Sequence, residues 1–212
     1  YFLTNQPKGI AELDRVAILL YNQTLTSAKS ILPALEHCAN ANRSLLIIAN
    51  DVTSEALQTL VLNKMKGALS VCAIRAPEFG SARTVAMQDI AAVVNGKVVA
   101  VEGHEFKPEE INGYLGYAEK AIIDKNGTVL VKTSGDSSEV EERIDSIKEK
   151  ISIPSSSEND LNVLNRRMRR LSKGIAVIRV GGSTEVEMFE KKDRIDDALH
   201  AARAAKSSGT QP

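Results

Sequence analysis

The sequence predicts a layered α/β domain with parallel strands. Three observations carry that reading: short apolar runs of strand character, stretches of helical spacing between them, and their strict alternation along the first hundred residues. The runs are RVAILL (15–20), SLLIIA (44–49), LSVCAIR (69–75) and KVVAV (97–101), with AEKAIIDK (118–125) following. Around 27–41, Ala28, Ile31, Leu32, Leu35, Cys38 and Ala39 recur at i, i+3, i+4 and i+7, which predicts the first helix. DVTSEALQTLVLNKMK (51–66) predicts the second, and 83–94, with Val85, Ala86, Ile90 and Ala91, the third.

After residue 116 the pattern changes. GTVLVKTSGD (127–136) predicts a strand closing a hairpin on 118–125, because Lys125-Asn126-Gly127 carries the Asn-Gly turn signal. A charged helix runs from 137 to Ile151 and breaks at Pro154. A basic helix resumes over 159–172, where Ser155 and Glu158 have capping-box spacing, and the two helices are expected to form an antiparallel pair. GIAVIRVGG (174–182) predicts one more strand, and EVEMFEKKDRIDDALHAARAAK a final helix rich in Ala, Lys and Glu. No internal repeat is apparent.

The 51–66 helix has more apolar residues than one buried face needs. Ala56, Leu57, Leu60, Val61, Leu62 and Met65 spread over about 240° at about 100° per residue, against a stripe of little more than about 100° on an ordinary surface helix. Two readings follow. Either part of the set stays exposed as a surface for polypeptide, membrane or an apolar ligand, or the helix lies sandwiched between two layers of its own domain.

With 212 residues, the chain can hold one generous domain or a domain with a piece of another. Acidic and basic residues balance at 27 each, so no overall field draws it to nucleic acid or an anionic membrane. Aromatic residues make up only 4% and Trp is absent, which argues against a base-stacking platform for single strands. The longest apolar runs fall well short of the roughly 18 residues that span a bilayer. The two cysteines, Cys38 and Cys72, sit in helical and strand-like runs and are expected to be reduced, buried hydrophobes of an intracellular protein. A start at Tyr1 and an end in SSGTQP suit a piece of a longer chain.

The common phosphate and metal motifs, P-loop, GxGxxG, HExxH and CxxC, are absent. Gly181-Gly182 has the composition to cradle an anion at a helix start, against the commoner strand-exit turn. His37, His104 and His200 lack ligand spacing and are expected at the surface. Asp196 and Asp197 have the chemistry to hold Mg²⁺ or orient a water, although an acidic helical pair is ordinarily a solvated face.

Three blocks carry a resemblance: SLLIIANDVTSEALQTLVLNKMKGALSVCAIRAPEFG, then MQDIAAVVNGKVV, then GIAVIRVGGSTEVEMFEKKDRIDDALHAARAA. In order and spacing they resemble the group I chaperonins, the Hsp60 and bacterial GroEL family, across nearly the whole chain. The resemblance implies a chaperonin apical-domain-like layered α/β domain over 1–175, with a flanking β-hairpin and helical pair. A strand and helix of an incomplete intermediate domain would follow over 176–212. The equatorial domain, with most of the nucleotide pocket and the ring contacts, would lie outside.

The implied function is that of a molecular chaperone. Two helices form an apolar groove that binds non-native polypeptides and, after ATP, the mobile loop of a co-chaperonin of the GroES/Hsp10 type. By motif, ILPALE supplies Leu32 and Leu35, EALQTLVLNKM supplies Leu57, Val61 and Leu62, and Tyr1 and Phe2 match an aromatic pair used for substrate contact. Asp197, in RIDDALHAARAA, matches the carboxylate that helps position the water attacking the γ-phosphate in the full-length ring. Glu185 matches an inter-subunit ion-pair position, and Gly174 lies at the hinge. ATP and Mg²⁺ are cofactors of the full-length protein; this chain alone is expected to take neither, to contain no metal site and to hydrolyse no ATP. Rings of seven subunits are implied for the full-length family and a monomer for this chain. The implied location is the bacterial cytoplasm, or alternatively the mitochondrial matrix or plastid stroma.

Three departures stand out. Lys173-Gly174 replaces the hinge Gly-Gly and is expected to stiffen the swing. APEFG, with Glu78, replaces APGFG, and KSSGTQP replaces an acidic ending that leads into a glycine-rich turn, where Pro212 fits poorly. An ATP-independent holdase is therefore an alternative, and a small-molecule α/β enzyme a third class, to be recognised by a polar pocket at the strand C-termini.

Overall fold

The longest strand, β1 (Ala11–Leu25), is the spine of a single mixed sheet. The structure is a computed structural model and describes residues 1–7, 9–125, 127–152, 158–172 and 180–209. In chain order the elements are β1, α1 (Leu32–Asn40), β2 (Ser44–Val52), α2 (Ser54–Met65), β3 (Val71–Arg75), α3 (Gly80–Val94) and β4 (Val98–Val99). A 3₁₀ turn (Ile111–Gly113), β5 (Gly116–Ile123), β6 (Thr128–Thr133), α4 (Ser137–Ile151), α5 (Glu158–Ser172) and α6 (Glu185–Ser208) complete the series. Two compact units divide the chain, Tyr1–Lys173 and Gly174–Pro212.

The sheet order is β3-β2-β1-β5-β6, with β4 paired to β1 at Leu20 and Tyr21. β2, β3 and β4 run parallel to their neighbours, as the alternation predicts. The 116–133 hairpin joins the same sheet: β5 pairs antiparallel with β1, and β6 with β5. Its connection closes through the Asp124 N–H donating to the Gly127 carbonyl at 2.9 Å, while Asn126 of the expected turn lies outside the described residues.

Burial on both faces explains the near-continuous apolar runs. Along β1, Ala17, Leu19 and Tyr21 face one core cluster with Leu45 and Ile47 of β2, Ala34 and Cys38 of α1, and Ala56 and Leu60 of α2. Val16, Ile18 and Leu20 face the other, with Leu46 and Ile48 of β2 and Met87, Ala91 and Val94 of α3. Helices thus cover the sheet on both sides. Gly116 is required where β5 begins beside α3, because a Cβ there would run into the Val94 side chain.

The first helix differs from the expected 27–41, since it starts at Leu32 with Pro33 in its first turn. Proline has no N–H to donate and its fixed φ suits a helix start, so 28–31 form a turn instead. Ile31 is still fully buried. α4 and α5 pack on one another and on α3. Asp89, a buried carboxylate on α3, accepts from Arg167 Nε and Nη2 of α5 at 2.8 and 3.0 Å, and from Arg143 Nη1 of α4 at 3.4 Å. Glu78, just ahead of α3, pairs with Arg170 at 3.1 Å and Arg166 at 3.7 Å on the same α5.

In the second unit, α6 opens on a Thr184 N-cap, whose Oγ1 accepts from the Glu187 N–H at 3.2 Å, while Glu187 Oε2 reaches back to accept from the Ser183 N–H at 2.8 Å. Most of the expected strand 174–182, including Gly174, lies outside the described residues, as do Lys173, Pro154, Ser155 and Pro212.

Candidate functional site

The start of α2 is tied to the end of β1. The Thr53 N–H donates to the Leu25 carbonyl at 3.0 Å, and the Ala56 N–H to the Thr26 carbonyl at 3.2 Å. This anchoring sets which side of α2 meets the sheet. Ala56 and Leu60 are fully buried, whereas Leu57 and Val61, the next positions round the helix, are half-buried. Leu62 and Met65 point away, 54% and 79% exposed. A helix between two layers would bury all six, so the sandwiched alternative is excluded. Met65, at the end of this stripe, belongs to the surface although the motif carries only Leu57, Val61 and Leu62.

On α1, Leu32 is 49% exposed but Leu35 only 5%. Leu35 is therefore core with one edge open. That edge lines a small cavity of about 130 Å³ with Leu32, Glu36, Ala39, Asn63, Ala68 and Leu69. Leu32 and Leu35 are thus brought together, and α2 contributes Asn63 to this cavity rather than Leu57, Val61 or Leu62. The apolar surface consists of a cleft beside α1 and an exposed stripe along α2.

Tyr1 is 90% exposed. Phe2 is half-buried and packs against both core clusters, which makes it an anchor of residues 1–3 as well as a surface aromatic. Lys64, in the last turn of α2, donates from Nζ to the carbonyls of Tyr1 and Leu3, each at 2.8 Å. Sequence patterns do not reveal such a bond, because its partners are backbone carbonyls some 60 residues away.

A larger polar cavity of about 310 Å³ is lined by Glu12, Asp14, Arg15, Arg43 and Ser44, among others. It lies where β2 and β3 begin, at the N-terminal ends of the parallel strands. Ligands of open parallel sheets bind at the opposite, carboxyl ends. Burial pushes the Cys38 thiol up to about 12 and the Cys72 thiol up to about 11, so neither is a nucleophile near neutral pH. Nor can they pair, since they face opposite sides of the sheet.

His104 corrects an expectation. It is half-buried and packs against Phe106 and Tyr114 at centroid distances of 4.6 and 5.7 Å. Asp196 and Asp197 are exposed on α6, and Glu185 is the exposed first residue of that helix. Among the described residues no three His, Cys, Asp or Glu side chains gather to hold a metal ion.

The described residues thus form a sheet covered by helices on both faces, with exposed aliphatic side chains on α2. This chain belongs to the TCP-1/cpn60 chaperonin family, whose model matches residues 17–210. It is 47% identical to the chaperonin GroEL of Holospora obtusa over 213 aligned positions, which take in 100% of this chain and 38% of that protein. The chain thus spans about two fifths of the length of that curated relative. In fold it is similar to the chaperonin gp146 of bacteriophage EL 2 (Pseudomonas aeruginosa), crystallised in the presence of ATP-BeFx, with a TM-score of 0.59 at 20% identity. That match covers 93% of this chain and 39% of the phage protein. No helix among the described residues is long and apolar enough to cross a membrane.

Proposed function

We propose that this chain is the polypeptide-binding part of an ATP-driven chaperonin subunit: an apical domain over 1–175 followed by the returning segment of an intermediate domain over 176–212. The observation that carries the reading is the exposure of Leu62 and Met65 on α2, beside half-buried Val61, with Leu32 open on α1. Such a surface binds by apolar area without demanding sequence, which suits a receptor for many non-native chains. A co-chaperonin mobile loop would compete for the same side chains. In the full-length ring ATP and Mg²⁺ would act in a pocket completed by other parts of the protein, with Asp197 as the carboxylate supplied from α6. No hydrolytic step is assigned to this chain by itself.

The test is fluorescence-anisotropy titration of a labelled co-chaperonin mobile-loop peptide into the chain, beside Leu62→Glu. Saturable binding lost in a variant with unchanged circular dichroism supports the reading. A folded wild-type chain that does not bind the peptide would refute it. The holdase alternative differs in the parent protein: capture and release of unfolded chains there would be indifferent to ATP and to Asp197→Ala.

A further inference from the structure

Among the described residues, two hydrogen bonds join residues 1–3 to α2, and both come from one side chain. The Lys64 ammonium donates to the Tyr1 and Leu3 carbonyls, each at 2.8 Å, so it bridges the carbonyls of the residues before and after Phe2. At about 100° per residue, Lys64 falls on the same side of α2 as Leu57 and Val61, one turn beyond Val61. Asn63, by contrast, faces the cleft lined by Leu32 and Leu35. α2 is therefore flanked on one side by the α1 cleft and on the other by residues 1–3.

We propose that Lys64 is a positioning residue that latches residues 1–3 onto α2, so that the exposed Tyr1 ring becomes the second flank of the apolar receptor surface. This rests on the polypeptide-binding reading above and deepens it: a bound apolar segment is held from both sides of one helix. Phe2, packed against both core clusters, fixes the middle of the segment but leaves its carbonyls free to accept. The latch sets where the backbone on each side of Phe2 runs, and hence where Tyr1 points. Charge-assisted bonds to backbone oxygens suit this task, because they hold the segment without requiring any particular side chain there.

The chain has no Trp, so Tyr1→Trp introduces a single Trp, excited selectively beside the remaining tyrosines, that reports on the latch without any ligand. In that background Lys64→Met is expected to lower emission anisotropy and raise acrylamide quenching, while Lys64→Arg, which keeps a donor, leaves both unchanged. Binding is then read with fluorescein-labelled, reduced and carboxymethylated α-lactalbumin, a permanently unfolded probe. Lys64→Met and Tyr1→Ala should each weaken it about fivefold, a loss of the size of one ordinary net hydrogen bond. The double variant should be no weaker than Tyr1→Ala alone, since Lys64 acts through Tyr1. Unchanged Trp anisotropy in Lys64→Met, or additive losses in the double variant, would overturn the latch. If Leu62→Glu binds the probe as tightly as wild type, the receptor reading itself fails and the latch falls with it. If Leu62→Glu loses binding while Lys64→Met does not, the receptor stands and only the latch is wrong.

Discussion

Leu60 and Leu62 are two residues apart on α2 and have opposite environments, so replacing each in turn tests the orientation of the helix and its role together. Leu60 is fully buried, and Leu62 is 54% exposed. Complete burial of a leucine contributes about 1.5–3 kcal/mol. Roughly half of that surface is still open at Leu62, which leaves about 1 kcal/mol for a bound segment to gain. A carboxylate in its place, facing an apolar partner, costs at least about 1 kcal/mol more. Leu62→Glu is therefore expected to weaken binding of a mobile-loop peptide or unfolded chain by about 2 kcal/mol or more, about thirtyfold. Its folding stability should stay within about 0.5 kcal/mol of wild type, as for other exposed substitutions. Leu60→Ala should do the reverse, costing about 2–5 kcal/mol of stability through the cavity it leaves, with binding by the folded fraction retained. Urea unfolding followed by circular dichroism and anisotropy titration read the two effects separately. A destabilising Leu62→Glu beside a neutral Leu60→Ala would show that the helix is turned the other way. A stable Leu62→Glu that binds as well as wild type would remove α2 from the receptor surface.

Three further outcomes follow from polar groups. Asp89→Asn is expected to cost about 3 kcal/mol in urea unfolding, because it leaves Arg167 and Arg143 without their carboxylate; a change below about 0.5 kcal/mol would deny that this cluster holds α3, α4 and α5 together. Glu78 sits at φ +63° and pairs with two arginines at the surface of α5. Relief of left-handed strain, about 1 kcal/mol, should nearly offset the loss of those pairs in Glu78→Gly at low salt. At high salt, which screens the pairs, the glycine variant should be the more stable, and a loss of more than about 2 kcal/mol at any salt would mean the pairs dominate. The thiols impose an alkaline limit. Unfolded cysteines ionise near pH about 8.5, whereas burial holds Cys72 and Cys38 neutral up to about 11 and about 12. A group whose folded pKa is raised contributes fully below the unfolded value and loses that contribution as pH rises through the folded one. Stability should accordingly fall from pH about 9 upward, less steeply in Cys38→Ala with Cys72→Ala. Native thiols should resist iodoacetamide at pH about 8, and rapid labelling of folded protein there would refute the assignment.

Much of the fold was legible because burial on both faces leaves a local signature. RVAILL and SLLIIA, short apolar runs between helical stretches, predict strands, and they lie within β1 and β2. The hairpin 116–133 was visible as a pair of strands, but its edge of the sheet was not, since pairing partners lie more than a hundred residues apart, as Ala11 and Ile123 do. The start of α1 differs from the spacing, since Ala28 and Ile31 have helical spacing while Pro33 sets the first turn. At the candidate site, the apolar excess on α2 could be read from spacing, and the motif resemblance named Leu32, Leu57, Val61 and Leu62. Leu35 shares that motif yet is core, and Met65 lies outside it yet is exposed.

Periodicity and turn chemistry act over a few residues, so the sequence by itself determined the order and kind of the elements and the helix on which surplus apolar side chains had to appear. The rotation of α2 about its axis was decided only in the tertiary structure, by the bonds from its first turn to the end of β1. So were the Asp89 cluster and the Lys64 bonds to residues 1–3, whose partners lie 54 to 78 and 61 to 63 positions away. Hydrogen bonds need atoms within about 3 Å and ion pairs within about 4 Å, and a chain brings such distant groups together only when the sheet has formed between them.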